Sequence, residues 1–381
     1  MGRYKIFKLK ELSNTITKGT TAKQFADSGI NFIKIESIMS RKSLSSKKSY
    51  ISKIEHENYL KRSILQQNDI LFSIAGALGI VHIVQDKELP ANTNQALSII
   101  RLSNKNDTEY VAWFLETNKI KKIISELKSI GAQPNLSLEQ VGNFNITYYE
   151  DKKSRDFLVR LMNSIEDRIE TQNKIIEDLK LLMKRSIDSL LRSKLQAKNI
   201  ELRQLLTERK DKNKYALSVF SVAVEEGVVN QEEHLGRSFA AKDTSNYNIV
   251  KYGDVVYTKS PTGLFPYGIV KQSFNKEDVA VSPLYGIYEP KTMAVGNYLH
   301  YYFLNPINTN NYLHPLVNKG AKNTMNITNQ RFLDGKIAFP ESYIESLVGF
   351  LSSIKTKFDF NVKLLEKYQL QKKYLLDNLF I

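Results

Sequence analysis

The chain has no cysteine, one tryptophan and five histidines in 381 residues. Without thiols it has no disulfides, no thiolate zinc site and no cysteine nucleophile, a composition that suits a reducing cytoplasm. The histidines, His56, His82, His234, His300 and His314, show no metal-ligand spacing. No run of about 18 apolar residues occurs, so no membrane-spanning helix is expected. The basic segment Met1–Lys10 is not followed by the apolar stretch of a secretory signal.

What is abundant is positive charge. Lysine and arginine exceed aspartate and glutamate, 55 to 40, for a net charge of +15. Such a chain is drawn to polyanions, and with no membrane segment nucleic acid is favoured over lipid, although a generally basic background gives the same number. Hydrophobic residues make up 42%, enough for packed cores. The length allows about two or three domains.

The sequence repeats itself. Residues 68–84, NDILFSIAGALGIVHIV, parallel 253–270, GDVVYTKSPTGLFPYGIV, each an acidic opening, an apolar strand, a glycine-containing loop and a strand ending Ile-Val. IGAQPNLSL (130–138) parallels KGAKNTMNI (319–327). A heptad seam follows each half. The first is Leu158, Met162, Ile165, Ile169, Gln172, Ile176, Leu179, Met183 and Leu190, with Ser186 filling a gap. The second is Leu347, Leu351, Ile354, Phe358, Asn361, Leu365, Tyr368 and Leu379, each 189 residues after its counterpart. The polar break at Gln172 recurs at Asn361, whereas Met183 and Ser186 correspond to Lys372 and Leu375.

These patterns predict an α+β protein. Two similar α/β domains, 1–153 and 197–340, are each followed by a long helix, 154–196 and 341–381. Each helix carries an apolar stripe roughly 60 Å long, which packing must cover. The two are expected to pair as an antiparallel coiled coil, Gln172 and Asn361 either fixing register or being tolerated breaks. Homodimerisation through the stripes is the alternative, disfavoured by the in-chain partner. In the first domain, strands are expected at Asn31–Ile38, Ile70–Ile74, Gly79–Val84 and Ala96–Leu102, then a helix from Glu109 to about Lys128. In the second, strands at Asp254–Thr258, Tyr267–Val270 and Gly286–Glu289 precede a helix near Gly296–Phe303. Polar loops at 13–24, 40–49, 92–95, 133–137, 258–263 and 318–330 suit contact with bases and phosphates, or are ordinary solvated loops. One is strongly basic, with Arg41, Lys42, Lys47 and Lys48.

NDILFSIAGALGIVHIV, NTNQALSIIRL (92–102), IGAQPNLSLEQVGNFNI (130–146) and the long helix to Leu191 resemble the DNA-specificity subunit of Type I restriction-modification systems. The resemblance extends over essentially the whole chain. The second half departs from it, with VSPLYGIY (281–288) in place of NTNQA and GAKNTMNIT in the Gly-Ala stretch. It implies two target-recognition domains that read an asymmetric, bipartite site on double-stranded DNA. It also implies helices that space the halves and dock two methyltransferase subunits, joined by motor-nuclease restriction subunits. The complex would use S-adenosylmethionine, ATP and Mg, with no cofactor or metal bound by this chain and no catalytic residue on it.

The residues agree with that division of labour. The nearest match to an adenine-methyltransferase motif, Asn305-Pro306-Ile307-Asn308, lacks its second proline and its aromatic residue. Gly76-Ala77-Leu78-Gly79 has no cofactor fingerprint around it, there is no Walker A motif, and Glu208-Arg209-Lys210 is too common a triplet to mark a nuclease. Loop position, residue type and the resemblance together nominate DNA contacts. In the first domain these are Lys18, Thr20, Arg41, Lys42, Ser73, Asn94, Gln95, Gln133 and Asn135. In the second they are Lys242, Lys259, Thr262, Lys322 and Asn323. Off-seam residues Arg160, Glu166, Arg168 and Lys180 are nominated for the methyltransferase or for an ordinary solvent face. An unrecognised nucleic-acid enzyme, a coiled-coil protein without a DNA role, and a specificity subunit of another restriction type stay open at this point.

Overall fold

The structure, a computed structural model, describes residues 2–128, 135–192, 197–235, 243–319 and 325–380. The chain divides into two compact units, 1–173 with 363–381, and 174–362. Each unit therefore contains one α/β module and a stretch of both long helices.

In the first unit an antiparallel sheet runs in the order Ser13–Lys18, Leu97–Leu102, Ile70–Ser73, Val81–Ile83. Both faces are covered. Ile70, Phe72, Ile100 and Leu102 face a core built with helix Thr108–Leu115, while Leu71, Leu97 and Ile99 face a second core under a smaller sheet. Two-sided burial explains why these strands read as continuous apolar runs instead of alternating. The smaller sheet places Ile30–Ile33 between Tyr50–Ile51 and Ala91–Thr93. The strand expected over Asn31–Ile38 stops at Ile33, because Ser37 N–H turns back to the Lys34 carbonyl and a short 3-10 helix, Ile35–Ser37, intervenes. The helix expected from Glu109 to Lys128 is two helices, Thr108–Leu115 and Asn118–Lys128, broken where the Thr117 hydroxyl donates to the Phe114 carbonyl. A ribbon of Tyr4–Lys8 with Asn145–Tyr149 leads into the first long helix, Lys152–Arg192.

The second unit repeats the plan. Its sheet runs Leu206–Glu208, Gly286–Pro290, Val255–Thr258, Ile269–Gln272. Val255, Tyr257 and Tyr288 face one core and Val256 and Ile287 the other. A ribbon of Lys198–Glu201 with Lys336–Phe339 leads into the second long helix, Ile344–Leu379. The duplication reaches individual bonds. Tyr110 and Tyr298 both donate across to the ribbon, to the Thr147 and Ala338 carbonyls. Ser137 and Thr328 both cap a short helix by accepting from the backbone N–H three residues on. Asp69 and Asp254 open equivalent strands, and each binds an arginine through both oxygens, Arg101 and Arg209. Arg101 lies in the strand Leu97–Leu102 and Arg209 just after the strand Leu206–Glu208, so the ion pair recurs in place but not in sequence origin.

The long helices pack against each other within each unit. In the first, Glu166 pairs with Lys372 at 2.6 Å and Arg168 lies 5.9 Å from the Tyr368 ring. As one helix advances the other recedes, so the pairing there is antiparallel. In the second, Lys180 approaches the Phe358 ring at 5.6 Å, and Met183 and Ile187 join the core that holds Leu347, Val348 and Leu351. Along the seam Leu158, Met162, Ile165, Gln172, Ile176, Leu351 and Ile354 are buried. Ile169, Leu179, Met183, Leu347, Phe358, Asn361, Leu365, Tyr368 and Leu379 are half-buried. The side chain of Leu190 lies outside the described residues. Ile187, Val348, Leu376 and Phe380 add buried positions beside the stripe.

Candidate nucleic-acid interface

In the first unit, the sheet brings four separated segments to one end. Lys18 ends its strand opposite Ser98, and Ser73 ends its strand opposite Leu97. Gly19 then passes so close to the Thr93–Asn94 backbone that a Cβ would sit 2.1 Å from the Asn94 carbonyl oxygen. Only glycine permits that approach, and it lets Thr20 N–H reach the Thr93 carbonyl at 3.0 Å. The Thr21 hydroxyl donates to Gln95 Oε1. Ile74 N–H donates to the Ala96 carbonyl and Leu136 N–H to the Ile74 carbonyl, each at 2.8 Å. Lys18, Thr20, Asn94, Gln95 and Asn135 thus share one end of the sheet. Lys18, Gln95 and Asn135 are exposed, while Thr20 and Asn94 are half-buried. The arrangement sets a cation, hydroxyls and side-chain amides at one edge, the groups that hold phosphates and read base edges.

Three nominated residues are engaged inside the protein instead. Arg41 is 4% exposed. Its guanidinium lies 3.3 Å from the centre of the Trp113 ring and donates to Asn163 Oδ1 at 3.1 Å, with Glu116 3.7 Å away. Burial lowers its pKa despite these carboxylates. Ser73 is fully buried, donating to the Ala77 carbonyl and accepting from Ile80 N–H, so it ties the turn through Gly76. Lys42, half-buried, pairs with Glu109 at 2.7 Å. A basic loop in sequence is here partly an internal ion network, leaving Lys47 and Lys48 as its exposed cations.

In the second unit, Lys259 follows the strand Val255–Thr258 and is half-buried, its pKa lowered by desolvation. Thr262 is exposed in the turn through Gly263, whose φ of +51° suits glycine. Glu208 at the same sheet end accepts from Asn329 Nδ2 at 2.8 Å and Gln330 Nε2 at 2.9 Å. Sequence reasoning missed this carboxylate–amide cluster. Its signal was the capping residue Thr328 placing Asn329 and Gln330 in the first turn of a short helix. Gln133, Lys242, Lys322 and Asn323 lie outside the described residues.

The histidines with recorded partners have local roles. His82 lies buried between the Ser40 carbonyl and Glu88, His56 bonds Asn92, and His300 accepts from Gln272 N–H. Among the described residues no helix is long and apolar enough to cross a membrane.

Residues 1–180 match the family described as the Type I restriction modification DNA specificity domain. No curated protein matches the chain. Among solved structures, the S subunit of a Type I restriction-modification system from M. genitalium is similar over 100% of this chain and 96% of its own, with 11% identity and a TM-score of 0.61. A structure describing complex assembly and conformational transition of the type I R-M system is similar over 99% and 97%, with 13% identity and a TM-score of 0.56. An HsdS subunit from Thermoanaerobacter tengcongensis aligns over 99% and 96%, at 14% identity and a TM-score of 0.45.

Proposed function

The chain belongs to the specificity subunits of Type I restriction-modification systems, a non-catalytic family, and from that premise we propose that it reads two different short blocks of DNA separated by a fixed gap. One observation carries the reading: the sheet of the matched half recurs in the other half with different side chains at its recognition end. Two like modules with unlike loops would select unlike sequences.

Lysines and arginines supply most of the affinity by displacing counterions, so binding falls steeply with salt. Polar side chains such as Gln95 choose the bases, a good bidentate contact being worth about 1–3 kcal/mol. The paired helices set the gap and dock two methyltransferase subunits, to which the restriction subunits join. S-adenosylmethionine, ATP and Mg serve those partners, not this chain. Of the nominated docking residues, Glu166, Arg168 and Lys180 already face the other long helix. That leaves exposed Arg160 as the nominee free to meet a partner.

The test is to reconstitute the complex with its methyltransferase subunit and map methylated adenines. Two unlike blocks with a constant gap are expected; a single uninterrupted motif, or methylation without sequence preference, overturns the reading. Gln95→Ala should relax the choice of base in one block only. Lys18→Ala should weaken binding to all sequences and reduce the salt slope by about one.

A further inference from the structure

The two long helices are identical along a stripe that their pairing does not use. The first carries Lys174, Glu177, Leu181, Lys184 and Asp188. The second carries Lys363, Glu366, Leu370, Lys373 and Asp377, the same residue types, each 189 positions later. Between Lys174 and Asp188 the other ten positions all differ from their counterparts. Steps of three and four keep the matching residues on one face of a helix. Leu181 and Leu370 each stand two residues past a seam position, Leu179 and Tyr368, a turn of about 200° that puts them on the side away from the seam. They are 42% and 66% exposed. The charged members of both stripes are exposed too, save half-buried Asp188, whose Oδ1 accepts from Asn305 Nδ2 at 3.3 Å. Each stripe lies wholly within one unit, Lys174–Asp188 in the second and Lys363–Asp377 in the first.

Folding does not require that identity. Exposed helix positions accept replacement at small cost, and exposed neighbours off the stripe do differ: Asp178 corresponds to Lys367 and Arg185 to Tyr374. The seam, which packing constrains, differs as well, Leu179 corresponding to Tyr368 and Met183 to Lys372. A face that is the same in two repeats that are otherwise unlike meets the same surface twice. At its middle a leucine keeps apolar area in water, which a bound partner removes. We infer that each stripe seats one copy of the methyltransferase subunit, Leu181 anchoring one copy and Leu370 the other. The complementary surface is an apolar socket with an acidic group opposite Lys184 or Lys373 and a basic group opposite Glu177 or Glu366. Those charges fix orientation and speed encounter, while the leucine supplies affinity. This inference rests on the reading of the chain as a specificity subunit that docks two methyltransferase subunits, and it names the residues that do so. Arg160, whose counterpart is Gly349, is no part of the shared face.

The test titrates the full-length chain with its methyltransferase subunit and weighs the complexes by native mass spectrometry. The parent chain should take two copies. Leu181→Asp and Leu370→Asp should each weaken one copy about tenfold or more and leave the other unchanged, so that one-copy complexes accumulate. The double variant should hold neither copy. Urea midpoints of the variants should match the parent, since neither side chain belongs to the core of its unit. If a midpoint falls, Lys184→Glu and Lys373→Glu, which reverse one exposed charge each, carry the same expectation for the same copies. A parent that takes fewer than two copies, a double variant that keeps both, or a single variant that loses both overturns the inference. So does a chain that dimerises by itself and becomes monomeric on either substitution, because the stripes would then seat a second copy of this chain. The two readings fail separately. Stepwise loss of copies from a complex that methylates without sequence preference would sink only the specificity reading. Two unlike blocks read by a complex whose stoichiometry ignores these substitutions would sink only the stripes.

Discussion

Arg41 stands where a cation's role is decided by its surroundings. Its guanidinium is stacked on Trp113, whose own Nε1–H donates to the same Asn163 oxygen that Arg41 uses. Lys372 joins from the second long helix, 3.5 Å from Glu116 and 2.6 Å from Glu166. Burial holds the Glu116 carboxyl above its usual range, with Lys372 and Arg41 opposing. Arg41→Ala removes the stack and leaves that carboxyl short of a partner, so we expect a loss of about 3–5 kcal/mol in unfolding free energy. Urea denaturation of the full chain checks it, and the salt slope of DNA binding should stay unchanged. His300 gives a second residue-scale expectation. Burial, with Lys271 and Lys355 adding repulsion, pushes it down to about 3 from 6.5. Below pH 6.5 the unfolded chain takes up a proton that the folded one refuses. Stability should therefore fall as the pH drops from about 6.5 toward 3, by up to about 1.4 kcal/mol per unit. In His300→Gln, urea midpoints at pH 7.5 and 5 should differ less than in the parent chain. At this scale the sequence was a partial guide. Residue type and loop position nominated Lys18, Asn94 and Gln95, and the fold gathers these at one sheet end. The same criteria also nominated Arg41 and Ser73, because a string of letters does not show that Trp113 and the Ala77 carbonyl lie within reach.

Elements were legible where one period dominated. The heptad stripe located both long helices to within a few residues, since a helix must bury such a stripe and leaves the intervening positions exposed. The second helix makes the contrast measurable. Leu351 is fully buried in the core of its unit, whereas Leu370 is 66% exposed. Leu351→Ala should cost about 2–5 kcal/mol and Leu370→Ala within about 0.5 kcal/mol, read from denaturation midpoints. Central strands were found through their apolar runs, ILFS and VVYT, which both cores require. The ribbons Tyr4–Lys8 with Asn145–Tyr149 and Lys198–Glu201 with Lys336–Phe339 were not, because their partners lie far away in sequence and their short segments mix apolar residues with lysine and asparagine. Lys372 shows the limit of the stripe itself. A lysine at a seam position reads as a defect, and here it is an ion-paired link from the stripe to Glu116 at the end of helix Thr108–Leu115.

For the whole molecule, the proposed reading makes spacing and sequence choice separable. Each long helix is shared between the units, and the boundaries fall after Asn173 and after Val362. Seven residues inserted at both places would leave each unit's contacts intact and preserve the phase of both stripes. The added helix is about 10 Å long at 1.5 Å per residue, close to three base pairs at 3.4 Å each. If the helices set the gap, adenine mapping of the modified complex should return the same two blocks with about three more base pairs between them. Insertion in one helix alone shifts its stripe against an unshifted partner, and should lower stability instead of producing a new gap. Four residues in both, a stutter, rotate the stripes out of phase and should do the same. An unaltered gap in the double-heptad chain, with both blocks still read, would mean that something other than helix length fixes the distance.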